Sequence, residues 1–186
     1  MRIILTIFIL LSSSSVLAED ISDFQIEGMS IGDSLLDYFN KEEILQDFVV
    51  DPYEIPAKNK YNRIYIYNKI FKNYEYLSLD VKNNDLKYIL HGITGMLDYS
   101  DPKNCFKKQK LIIKDFSSFF NEKPEEFTTI SPYDETGQSI LYYAEWYLNG
   151  GFVQVICYDF AKHTNIQSGL DVSIRSEEFQ SWLDNN

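Results

Sequence analysis

Two histidines, His91 and His163, two cysteines, Cys105 and Cys157, and four adjacent acid pairs beyond residue 20 are the side chains best suited to chemistry in this sequence. Nucleophilic catalysis needs a serine, threonine or cysteine, a base beside it and an acid to orient that base. There is no G-x-S-x-G elbow, so such a site would have to assemble around one of the two imidazoles. His91 precedes Gly92 in a strand-like stretch and reads as a half-buried sheet residue, while His163 follows Ala161-Lys162 in a polar loop. The acid pairs are Glu42-Glu43, Glu125-Glu126, Asp134-Glu135 and Glu177-Glu178. Glycoside hydrolysis needs two carboxyls about 5–10 Å apart across a cleft, whereas sequence neighbours point apart. Three of the pairs fall at helix starts or turns, where free backbone N–H groups favour acids. A calcium loop needs alternating acids around a central glycine, which Asp134-Glu135-Thr136-Gly137 does not supply. No metal site and no cofactor are therefore expected.

The cysteines form an even pair, and the N-terminus reads as an export signal. Arg2 supplies the positive charge, Ile3–Leu11 the apolar run, and Val16 and Ala18 the small residues before a cut between Ala18 and Glu19. A run of nine residues falls short of the roughly 20 needed to span a bilayer, and no cysteine follows the cut to carry a lipid. The expectation is a signal peptide over 1–18 and one α+β domain over 19–186, released into the periplasm or secreted. In an oxidising compartment, Cys105 and Cys157 are expected to pair, since neither forms a short metal-ligand motif with a histidine. Loss of the leader, in which Arg2 is the one charged residue, leaves 168 residues with a net charge of −12. So acidic a chain repels phosphate backbones, and nucleic acid is excluded as a partner. The run Lys107-Lys108-Gln109-Lys110 reads as the solvated face of a helix.

The elements that must position these residues follow from patterning. Asp33 is placed to cap a helix through Ser34–Phe39, and Asn40 with Glu43 to cap a second, reaching about Phe48. Pro52 and Pro56 mark a loop. Arg63–Tyr67 and Tyr76–Val81 read as strands, the second with Leu77, Leu79 and Val81 inward. Leu86–Tyr99 reads as a returning strand broken by Gly92 and Gly95. Asp101-Pro102 opens the strongest helix, with Cys105, Ile112, Phe116, Phe119 and Phe120 on one stripe. Strands follow at 127–130, 139–148, 152–160 and 170–174, with Asn149-Gly150-Gly151 as a hairpin turn. A short helix over 177–184 closes the chain. The fold expected is an antiparallel sheet with helices packed on one face, built of two α-then-β units, 24–99 and 100–186.

The segment Ile26-Glu27-Gly28-Met29-Ser30-Ile31-Gly32-Asp33-Ser34-Leu35-Leu36 resembles the opening of small exported bacterial domains. It is similar to the outer-membrane-assembly lipoprotein domain and to the tandem beta-lactamase-inhibitor protein fold. That resemblance implies a binding or scaffolding protein, and no functional residue transfers with it. The remaining candidates are aromatic. Tyr65 and Tyr67 on one strand, with Tyr143 and Trp146 on another, are the side chains that an exposed binding face for a protein or small ligand would use. The function expected is a non-enzymatic binding domain. The alternatives are a small exported hydrolase and a structural envelope protein.

Overall fold

The computed structural model describes residues 20–46, 49–51, 60–67 and 69–185. The leader, the junction at Ala18 and Glu19, and the loop at Pro52 and Pro56 lie outside the described residues. Among the described residues there are three α-helices: α1 (Lys41–Gln46), α2 (Pro102–Phe119) and α3 (Glu177–Asp184). The strands are β1 (Val49–Asp51), β2 (Tyr61–Ile66), β3 (Tyr76–Lys82), β4 (Leu90–Tyr99), β5 (Glu125–Ile130), β6 (Ile140–Leu148), β7 (Gly151–Asp159) and β8 (Ser168–Ser176). All pair antiparallel in one sheet of order β1-β2-β3-β4-β8-β7-β6-β5. Two meanders, β1–β4 and β5–β8, thus meet along a single β4–β8 ladder. Among the described residues no helix is long and apolar enough to cross a membrane.

Local chemistry explains the helix boundaries. At α1 the capping box forms reciprocally: Asn40 Oδ1 accepts from Glu43 N and Glu43 Oε2 accepts from Asn40 N, both at 2.9 Å. The described helix runs to Gln46, and its expected continuation to about Phe48 lies outside the described residues. Asp101 caps α2 by accepting from Lys103 N, with Pro102 at the first helical position. The helix expected at Ser34–Phe39 is instead one 3-10 turn, Leu35–Asp37, capped by Ser34. Asp33 is drawn away from capping because its carboxylate accepts from Ser30 N and from the Tyr38 hydroxyl. Gly92 and Gly95 do not break β4, which runs through both. They are seats for other side chains. A Cβ at Gly92 would lie 2.4 Å from Asp80 Oδ2, and one at Gly95 would lie 2.6 Å from the Tyr74 ring.

Strand alternation divides the sheet into two different surfaces. One face carries Ile64, Leu79, Ile93, Ile174, Val153 and their like, all buried, and forms the main core. The N-terminal segment and α2 cover it, and the Cys105–Cys157 disulfide joins the first turns of α2 to β7. Gln109, expected in the solvated lysine run, points inward, donating to Tyr142 O at 2.7 Å and Val155 O at 3.2 Å. It lies one helical turn beyond Cys105, on the buried stripe, while Lys107, Lys108 and Lys110 are exposed. The closing helix departs from the one-face layout. Phe179 of α3 packs over Gly92 and against Tyr61, so α3 lies on the opposite face, at one end. It adds a small second core of Tyr61, Phe179, Trp182 and Leu183.

Candidate functional site

The face opposite the main core is polar and aromatic, and its residues line up in cross-strand rows. One row reads Arg63, Asp80, Gly92, Arg175 and Phe152 across β2, β3, β4, β8 and β7. Arg63 grips Asp80 with two bonds, Nε–Oδ1 at 2.8 Å and Nη2–Oδ2 at 3.3 Å. Burial, with Arg63 nearby, lowers the pKa of Arg175. The Arg175 guanidinium donates to Gln180 and Gln154, and Gln154 donates in turn to Glu145 at 2.7 Å. The next row, Tyr65, Ser78, Thr94, Ser173 and Gln154, places three small hydroxyl residues in the middle of the sheet. Thr94 and Ser173 bond each other at 2.9 Å.

Beyond these rows, away from α3, the face opens into a cleft of about 390 Å³. Tyr65, Tyr67 and Tyr76 form one wall, and Tyr133, Tyr158 and Phe160 form the other. Residues of β4 and β8 make the floor: Met96, Asp98, Gly169 and Asp171. The walls are braced internally. Tyr65 stacks on Tyr67 with ring centroids 5.6 Å apart, and Tyr158 stacks on Phe160 at 5.8 Å. Wall and floor are tied by hydroxyl-to-carboxylate bonds, Tyr76 to Asp98 at 3.0 Å and Tyr158 to Asp171 at 2.8 Å. Burial and the neighbouring carboxylates raise both tyrosine pKa values, so the phenols stay protonated. The cleft lies at the β4–β8 seam.

Of the residues expected from sequence, Tyr65 and Tyr67 line this cleft, Tyr67 with 56% of its surface exposed. Tyr143 shares the face but sits further along it, stacked on Phe127 at 4.8 Å. Trp146 does not belong to the surface. It is 1% exposed in the main core, where its ring meets Phe116 and Phe120 and its Nε1 donates to Glu122 O. Sequence reasoning missed Tyr76, Tyr158, Asp98 and Asp171. The signal was available for Tyr76: with Leu77, Leu79 and Val81 inward, Tyr76 must share the outward face with Ser78 and Asp80.

Neither histidine is set up for proton relay. A relay needs the nucleophile and the orienting acid on opposite ring nitrogens. At His163, Thr136 Oγ1 and Asp134 Oδ1 both approach Nε2, at 3.2 and 3.1 Å. At His91, Ser176 Oγ and Glu178 both approach Nδ1, at 3.3 and 4.0 Å. The acid pairs have structural work. Glu43 completes its capping box and pairs with Lys69, and Glu178 bridges Lys60 and Lys82. Glu125 and Glu126 lie on edge strand β5. Among the described residues no group of three His, Cys, Asp or Glu side chains could hold a metal ion.

Asp134 organises the loop between β5 and β6. Its side chain, 1% exposed, accepts from Ser139 N and Oγ, from Thr136 N and Oγ1, and from His163. Bonds from Ser139 and then Thr136 hold its carboxyl well below the usual aspartate range. A depressed folded-state pKa stabilises the fold above the unfolded value of about 4, and this contribution is lost as pH falls below it. Asp134→Asn is therefore expected to lower the Tm at pH 7, with the gap to wild type narrowing below about pH 4. Thermal unfolding from acid to neutral pH measures this, and a constant gap would contradict it.

Fold and site together define an α+β domain with a tyrosine-walled, acid-floored cleft on its uncovered sheet face. Comparison with known protein families, with characterised proteins and with solved structures finds no match.

Proposed function

We propose that this chain is an exported, non-enzymatic binding domain whose cleft at the β4–β8 seam holds its ligand. The observation that carries this reading is the cleft itself: six aromatic rings in two walls over a carboxylate floor. Ligand sites combine apolar lining with a few convergent polar groups, and this arrangement meets that description. The disulfide and the leader-like N-terminus support export. The same-nitrogen geometry at both histidines argues against the hydrolase alternative. Two helix-then-meander halves meeting at one ladder support an origin by duplication and the resemblance to the tandem inhibitor fold.

The test uses the rim, where Tyr67 and Tyr133 are 56% and 75% exposed, so their removal spares the fold. With the mature chain as bait in extracts of the exported fraction, the bound species is expected to be lost in Tyr67→Ala/Tyr133→Ala. It is expected to persist in the control Leu86→Ser, which is exposed and distant from the cleft lining. Undiminished capture by the tyrosine variant, with an unchanged Tm, would remove the cleft from the binding role.

A further inference from the structure

We infer that Asn149 is a site of spontaneous deamidation by water, and that its conversion releases the N-terminal segment from the sheet. Asn149 is the one asparagine in the chain that is followed by glycine. It is exposed at the tip of the β6–β7 hairpin. With no Cβ on the following residue, the asparagine side chain reaches the next amide nitrogen unhindered. The surroundings leave that approach open. A Cβ built at Gly150 would meet nothing closer than 3.6 Å, and among the described residues Gly150 N donates to no backbone acceptor. None of these residues lines the cleft, so the inference stands apart from the binding reading.

The reaction needs water and one side-chain rotation, of the kind exposed residues make freely. Gly150 N gives its proton to hydroxide and attacks Asn149 Cγ. The Cγ–Nδ2 bond breaks, and the amide leaves as ammonia with a proton from solvent, closing a succinimide ring. Water then opens the ring at either carbonyl. One opening yields aspartate; the other yields isoaspartate, whose main chain is longer by one carbon. One oxygen enters from water, and nothing is oxidised or reduced.

The bonds at this turn give the reaction its consequence. Asn149 Nδ2 donates to Asp20 Oδ2 at 2.9 Å, and Asn149 O accepts from Ile21 N at 3.0 Å. The other Asp20 oxygen accepts from Ser22 N and Oγ, capping the 3-10 turn Ile21–Asp23. Ile21, 3% exposed, is thereby seated in the main core. It lies so close over Gly151 that a Cβ there would be 2.6 Å from Ile21 Cγ1. Deamidation replaces the donor facing Asp20 with a second carboxylate, and the two acids repel. The longer isoaspartate backbone also displaces Gly150 O, which accepts from Glu177 N at 3.0 Å at the head of α3.

The mature chain is held in mildly alkaline, oxygen-labelled water and mapped by peptide mass. Asn149 is expected to take up one label ahead of every other asparagine, as mixed aspartate and isoaspartate, and faster as the pH rises. Asn149→Gln, whose larger imide ring closes slowly, is expected to remain unconverted. The turn's left-handed φ of +73° belongs to Gly150, so side chains at position 149 exchange without backbone strain. Hydrogen exchange reads the release. In the aged protein and in Asn149→Asp, Ile21 N is expected to exchange about tenfold faster, the loss for one hydrogen bond to a charged group. Asp20→Asn/Asn149→Asp sets a donor opposite a carboxylate again and is expected to slow that exchange back toward wild type. An Asn149 that survives while other asparagines convert would overturn the modification. Unchanged Ile21 exchange after conversion, or a double variant no better than Asn149→Asp alone, would overturn the release.

Discussion

Replacing both bridge cysteines, Cys105→Ala with Cys157→Ala, is expected to destabilise the fold by about 4 kcal/mol, from the loop-closure entropy of a crosslink of this span. The sequence separation is 52 residues, so the unfolded chain loses a large set of conformations when the bridge is closed. A native-state contribution acts in the same direction, because both cysteines are fully buried and alanine leaves space between α2 and β7. Within α2 only Cys105 and Gln109 are buried outright; the half-buried Phe106, Ile112, Ile113 and Phe116 pack against the core beside them, and its lysines face water. For a chain of this size the expected fall in Tm is about 8–16 °C. Thermal unfolding of the oxidised protein, the reduced protein and the double variant provides the measurement. A drop of less than about 2 °C would mean that α2 is held by packing alone.

Asp80→Ala is expected to cost a comparable amount, about 3–5 kcal/mol, because it removes one partner of a buried ion pair. Asp80 is fully buried and gives both carboxylate oxygens to Arg63. Its charge also offsets that of Arg175, across Gly92 in the same row. Removal leaves two arginines facing each other with their shared counter-charge gone. The carboxylate also fills the space above Gly92, beside Phe179, so the variant opens a void under α3. The double variant Asp80→Ala/Arg63→Ala is expected to lose less than the sum of the single losses, since the two charges are removed together. Urea unfolding of the four proteins yields this cycle, and strict additivity would show that the pair is not coupled.

Much of the fold is legible in the sequence because its local signals agree with one another. The Asn40–Glu43 box, Asp101-Pro102, the hairpin at Asn149-Gly150 and the alternation of β3 each specify one geometry and are found in it. The disulfide is legible in the even cysteine count and the lack of a short metal-ligand motif. The site is less legible, for a reason visible in β6. Its odd positions carry Tyr143 and Tyr147, its even positions Tyr142 and Trp146, so hydrophobicity alone does not say which set faces the core. Parity does say that Tyr143 and Trp146, three residues apart, point to opposite faces, and grouping them overlooked it. The placement of α3 is illegible for a different reason. Its apolar stripe predicts burial, but only the Asp80–Gly92 register reveals the seat that receives Phe179.

The ladder between β4 and β8 also sets an order of events while the chain is being made. β4 ends at Tyr99, and its partner strand does not begin until Ser168. At ~5–20 residues per second, the interval is on the order of ten seconds. Throughout it, the first meander has an edge whose N–H and C=O groups lack their eventual mates, the kind of edge that recruits strands from other chains. Pairing across so long a separation is slow by topology as well. The nascent protein thus carries an aggregation hazard in the ladder that later supports the cleft floor, and β8, the last strand of the sheet, is the one that removes it.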